Sequence, residues 1–221
     1  MDWEELRAQL RAAYDADAQR RERSRTDGWK ERERLHFLAR LREAGAASLL
    51  DLGAGTGADA RWFQDAGLAT IAVDLSPAMV ALAREKGVQA RELDMTEVGA
   101  AFPPRGFDAV FSRNALLNVP KTKWDETLAG VRRVLRPGGL FYLGVYGGID
   151  SDGIFADDWA RPRRHFGLHT DTALRARAAR AFEVLDFRTV DYGHATLHFQ
   201  ALTLRRPDDE GIPSGPGERL S

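Results

Sequence analysis

Leu49-Leu50-Asp51-Leu52-Gly53-Ala54-Gly55-Thr56-Gly57 decides how the chain reads. Residues 48–52 are a short apolar run of strand type, and three glycines follow at alternate positions before an amphipathic stretch at 58–66. Glycines where a strand turns into a helix let the backbone bend tightly and come close to a ligand. About twenty residues on, a second apolar run at 69–74 ends in Asp74. A carboxylate there offers two oxygens to the two hydroxyls of a ribose, so loop and acid together predict a cofactor that carries a sugar.

Outward from this motif, apolar and amphipathic segments alternate. Residues 77–85 read as a helix, sharpened by Ser76 as cap and Pro77 at the first helical position. Residues 89–93 read as a third strand, 107–111 as a fourth, 121–135 as a helix and 140–145 as a fifth strand. Between the last two, Arg136-Pro137-Gly138-Gly139 stops the helix and permits a reversal. Such a βαβ series predicts a parallel sheet covered on both faces.

Before the motif, residues 3–21 show Trp3, Leu6, Leu10, Ala13 and Tyr14 near helical spacing, and 29–43 predict a second helix burying Leu35, Leu38 and Leu41. The charged run 20–34 reads as a solvated helix face. After the fifth strand, 146–169 is too long for a simple connection and predicts a cover over a site. A helix is expected at 172–181, then strands at 182–192 and 195–204 pairing across Gly193 and His194. From Arg205 on the chain holds little to bury. The expected division is therefore a helical cover at 1–46, an α/β domain at 47–206 and a disordered tail at 207–221.

Composition narrows the function. Thirty-two basic and 33 acidic side chains leave a net charge of -1, so no overall field draws the protein to nucleic acid or an anionic membrane. Without a single cysteine, disulfides, thiolate nucleophiles and cysteine metal sites are excluded. No zinc pair or calcium-loop spacing is present, and no metal site is expected. There is no leader pattern at the start and no apolar run of about 18 residues, so a cytoplasmic protein is expected. Length and composition leave the oligomeric state open.

Together, these motifs resemble class I S-adenosylmethionine-dependent methyltransferases of the small-molecule type. Residues 51–57 are similar to their first motif, Asp74 to their ribose acid, Asp94 to their adenine-side acid and residues 136–139 to the loop before their fifth strand. The resemblance covers residues 49–146 well. It implies a Rossmann-like three-layer sandwich, a seven-stranded and mostly parallel sheet, and a C-terminal antiparallel hairpin. It also implies S-adenosylmethionine as cofactor and a small-molecule methyl acceptor, at oxygen or nitrogen. Cofactor-binding candidates are Tyr14, Asp51, Gly53, Ala54, Gly55, Asp74, Leu75, Asp94, Met95 and Arg113. Asp51 is expected to hold the glycine loop or approach the amino acid moiety, Met95 to lie against the adenine ring, and Tyr14 to close over the site. Residues 111–118 are expected beside the sulfonium, with Asn118 near the place where several relatives have a histidine.

The acceptor side is less constrained. Asp150, His165 and His194 carry side chains suited to a base, with His165 singled out; Asn118, Tyr146, Trp159 and Arg163 are the candidate acceptor contacts, the aromatics as apolar walls and the arginine as a partner for an acid. For each, and also for Asp74 as a cap of the helix beginning near Pro77 and Asp94 as a turn residue, a structural role is the competing reading. For the whole chain, a nicotinamide-dependent oxidoreductase and a binding or regulatory protein that keeps the fold without turnover are the alternatives. The former is disfavoured because a dinucleotide site uses its helix terminus for a pyrophosphate, which the methyl donor lacks.

Overall fold

The computed structural model describes residues 2–24, 27–155 and 158–208. Two helices, α1 (Trp3–Glu22) and α2 (Gly28–Glu43), precede the sheet. The alternating part runs β1 (Ser48–Leu52), α3 (Ala58–Asp65), β2 (Ala69–Asp74), α4 (Pro77–Glu85), β3 (Gln89–Glu92), α5 (Val98–Ala101), β4 (Phe107–Arg113), α6 (Lys121–Val134) and β5 (Leu135–Gly147). A small ribbon follows, β6 (Ser151–Ile154) and β7 (His165–Leu168), then α7 (Asp171–Ala178) and the strands β8 (Glu183–Val190) and β9 (His198–Arg205).

The main sheet has the order β3-β2-β1-β4-β5-β9-β8. Pairs from β3 through β5 are parallel, whereas β9 runs antiparallel to both β5 and β8. This is the expected seven-stranded sheet with a terminal hairpin. Strand order reverses at β1, whose neighbours are β2 and β4, so a crevice opens outside the carboxyl ends of β1 and β4. The sequence motif sits there.

Two apolar layers hold the sheet. On one side Leu50, Leu52, Val110, Phe141 and Leu143 pack with Trp124, Leu128 and Val131 of α6. On the other, Phe37 and Leu41 of α2 meet Phe63, Phe111 and Tyr142, with Phe111 and Tyr142 stacked at 4.7 Å. Burial of side chains this size stabilises by about 1.5–3 kcal/mol each relative to exposure, which is why α2 is part of the core.

Several expectations need correction. Leu35 is 51% exposed, and Phe37 takes the inward position on α2. The charged run is not wholly solvated: Glu33 and Arg34 are buried, Glu33 accepting from Tyr142 (3.0 Å) and Arg188 (2.8 Å) and Arg34 lying 3.4 Å from Asp59. Each charge is turned inward because a partner waits on the sheet side. The final hairpin is looser than a two-residue turn, since β8 ends at Val190 and β9 starts at His198. Arg205 ends β9, and Arg206 exchanges backbone bonds with Gly138 and Gly139, so order continues past the point where the composition turns polar. The rest of the expected tail from 209 lies outside the described residues. The stretch 146–169 contains the β6–β7 ribbon, which alternation alone does not announce.

Gly57 enters α3 at φ +76°, and a Cβ built on it would lie 2.6 Å from the Ala83 Cβ of α4. Backbone conformation and close packing therefore both require glycine. Gly57→Ala should destabilise the protein by more than the roughly 1–3 kcal/mol of a strained backbone position, read as a lowered midpoint of denaturant unfolding. An unchanged midpoint would show that the turn relaxes freely.

Candidate functional site

The bend after β1 is built by hydrogen bonds from the neighbouring strand. Gly53 and Ala54 both donate their N–H to the Val73 carbonyl of β2, at 2.9 and 3.0 Å. Gly53 stands at φ +76°, and a Cβ there would collide with Ala115 at 2.1 Å. Next, Gly55 N–H donates to Asp74 Oδ2 (2.7 Å), while Ser76 N–H donates to Asp74 Oδ1 (2.9 Å). Burial pushes the Asp74 carboxyl upward, and these two amides oppose that push. Each oxygen has used one lone pair, which leaves acceptor capacity toward the crevice.

A cavity of about 290 Å³ opens above this bend. Its lining includes Tyr14 of α1, Asp51 of β1, Gly53, Ala54, Gly55, Asp74, Leu75, Asp94, Met95, Arg113 and Asn118. Every expected cofactor residue and one expected acceptor residue thus meet in one place. The remaining four lie outside that lining. His165 is buried and bonds Asp152 through Nε2 (2.8 Å). Tyr146 packs on Tyr192 and Phe199, with ring centroids at 4.6 and 5.7 Å. Trp159 is 51% exposed beneath the Arg20 guanidinium at 3.7 Å, and exposed Arg163 is held through its carbonyl by Gln9 (2.7 Å).

Asp51 carries the strongest electrostatic signal. It is almost fully buried, and its Oδ2 has no hydrogen-bond partner in the structure. Desolvation, helped by the nearby Asp59 charge, holds its carboxyl well above the usual range, with Arg113 pulling the other way. Arg113 itself is committed to Asp59 at 2.7 Å and to the Lys30 carbonyl at 3.4 Å. A buried carboxyl with one oxygen free at the floor of a cavity favours a cationic group above it.

Other lining residues were not singled out in the sequence. Asp59, in the first turn of α3, anchors Arg113, and Asn114 takes a left-handed φ of +55° at the end of β4. Trp3 donates through Nε1 to Asp94 Oδ2 (3.1 Å), while Thr96 occupies Asp94 Oδ1. Asp94, the expected adenine-side acid, is therefore bonded to α1. Trp3 was legible only as an apolar helix position, because its polar edge matters solely once α1 crosses the sheet edge.

Comparison with known proteins agrees with this layout. Residues 50–143 match the model of a methyltransferase domain. The first solved structure to superpose, the Burkholderia thailandensis 1,6-didemethyltoxoflavin-N1-methyltransferase, does so over 94% of this chain and 92% of its own, with TM-score 0.72 and 24% identity. The fold is that of the class I methyltransferases. Among curated proteins, the demethylmenaquinone methyltransferase of Tropheryma whipplei (strain Twist) is 36% identical over 93 residues, covering 41% of this chain and 38% of the relative. The matched stretch spans less than half the length of the first curated relatives. The methyltransferase fold also serves other chemistry: the [4+2]-cyclase SpnF superposes with TM-score 0.56 and 22% identity over 74% of this chain and 76% of its own.

Asp51→Asn removes the buried charge while keeping the shape. Affinity for S-adenosylhomocysteine, measured by calorimetry, should fall by about tenfold or more, with the melting temperature of the free protein unchanged or raised. In the native protein that affinity should increase with pH as the elevated Asp51 carboxyl ionises, and the Asn variant should lose this dependence. Unaltered affinity would remove Asp51 from the site.

Proposed function

We propose that this chain is an S-adenosylmethionine-dependent methyltransferase acting on oxygen or nitrogen of a small molecule. The buried Asp51 carboxyl beneath the glycine bend, whose Oδ2 has no hydrogen-bond partner, carries the reading, because the methyl donor is cationic at its amino group and its sulfonium. When bound, the cofactor supplies a methyl group on a leaving group that needs no protonation.

The chain's own residues then have three tasks. Asp51 would bind the amino acid end, Asp74 would accept from the ribose, and Leu75 and Met95 would flank the base. Tyr14 and Asn118 close the acceptor side and exclude water. Catalysis by placement accords with the engaged state of His165: well-oriented intramolecular reactions reach effective molarities on the order of 10⁵ M or more, whereas a general base adds about 10²–10⁴.

Of residues 1–46, expected as the cover, α1 would take that role, consistent with the lining it contributes, while α2 packs into the core of the transferase domain at 47–206. The balanced charge supports a small molecule over nucleic acid as partner. Among the described residues no helix is long and apolar enough to cross a membrane. We place the protein in the cytoplasm. A fold-only binding protein is the alternative reading: it would satisfy Asp51 with the same ligand and differ only in lacking turnover.

The direct test incubates the chain with methyl-labelled S-adenosylmethionine and fractionated small-molecule extracts. A labelled product that needs intact Asp51 and Asp74 is expected. Tight cofactor binding with no labelled product from any extract would favour the binding protein instead.

A further inference from the structure

The first half of α1 lies along the end of β3 and is tied to it by side chains that converge on Asp94. Asp2 caps the helix, accepting from the Glu5 N–H at 2.9 Å, so Trp3 stands at the first helical position. Trp3, Arg7 and Arg11 then follow at four-residue intervals along one face. Arg11 pairs with Glu92 at 2.8 Å, and Arg7 reaches Asp94 at 3.4 Å and Glu97 at 3.6 Å. Trp3 donates Nε1 to Asp94 Oδ2 at 3.1 Å.

Asp94 has no acceptor position left over. Its Oδ1 accepts from the Thr96 N–H (2.9 Å) and the Thr96 hydroxyl (2.8 Å), and its Oδ2 from Trp3 and Arg7. A carboxylate offers about four such positions, so the four donors fill it. The side chain is 4% exposed. Asp94 differs in this from Asp51, whose Oδ2 is free, and from Asp74, whose two oxygens each hold one amide.

The resemblance to methyltransferases expects an acid at this position to accept from the adenine amino group. Here that group would have to evict a donor already in place. Replacing Trp3 exchanges one neutral N–H for another on the same oxygen and leaves the indole N–H without a partner. Replacing Arg7 exchanges a charged donor for a neutral one, which is the weaker bond. Neither exchange favours the ligand.

Trp3 itself faces the ligand's side. It lines the cavity beside Leu93 and Met95, and all three are partly buried against the same core cluster. An indole has one polar atom, and that atom is spent on Asp94. What the ring can present to a bound molecule is therefore apolar.

Resting on the methyltransferase reading, we infer that the donor's base is held by apolar contact with Trp3, and that Asp94 is a positioning residue that pins Trp3 and α1 and leaves the 6-amino group of the base unread. The chain thus recognises the purine by its ring, through a side chain carried on the cover.

The test measures, by calorimetry on the full chain, the affinities of S-adenosylhomocysteine and of its purine-riboside twin, in which hydrogen replaces the 6-amino group. The native protein should bind the two within about threefold of each other, because a bond from the amino group to a charged acceptor would be worth on the order of tenfold or more. Trp3→Ala should weaken both ligands by about tenfold or more. Asp94→Asn should weaken both together, by about three- to tenfold, with the ratio of the two unchanged, and should add little in a protein that is already Trp3→Ala. A tenfold preference of the native chain for the amino compound, above all one that disappears in Asp94→Asn, would overturn the inference. So would undiminished binding by Trp3→Ala, or full additivity of the two substitutions. The native ratio and the Trp3→Ala affinities decide even where Asp94→Asn does not fold. Failure of the native chain to bind S-adenosylhomocysteine at all would instead remove the transferase reading on which the inference rests.

Discussion

The hydrogen bond from Gly55 N–H to the Asp74 carboxylate ties the two ends of the site together. It joins the bend after β1 to the tip of β2, with the Val73 carbonyl holding Gly53 and Ala54 just before it. Because β1 is flanked by β2 and β4, fixing this bend also fixes the mouth of the crevice between them. The same contact leaves Asp51 below the bend, buried and without a partner for Oδ2. A stable fold keeps such a charge only where a ligand offsets it or another feature compensates.

Much of this was readable in the chain because local chemistry and tertiary position agree there. Glycines 53, 55 and 57 must follow a strand whose end needs positive φ, and Asp74 must end the next strand to reach them. Ser76 and Pro77 announced the start of α4, and Ser76 does accept from the Met79 N–H. Strands buried on both faces, such as β4 and β5, read as continuous apolar runs and were found within a few residues.

The proposed acceptor side was less legible for a physical reason. Its residues come from α1, the β4–α6 connection and the loop before β7, far apart in sequence, and their roles depend on how α1 crosses the sheet. Tyr14 and Asn118 could be singled out, but not their mutual bond. Arg163 and Trp159 resembled binding groups by type, yet the neighbouring Arg164 is the arginine that turns inward, paired with Asp158. Three arginines within residues 161–164 give no hint which one has a buried carboxylate opposite. Glu33 on α2 shows the same limit, since Arg188 and Tyr142 lie more than a hundred residues away.

The most direct measurement is a crystal structure of the chain with S-adenosylhomocysteine. It should place the ligand's amino group within about 3 Å of Asp51 Oδ2 and the ribose hydroxyls against Asp74, with Gly55 beneath them. A nucleoside seated elsewhere, with Asp51 still unpaired, would contradict the account.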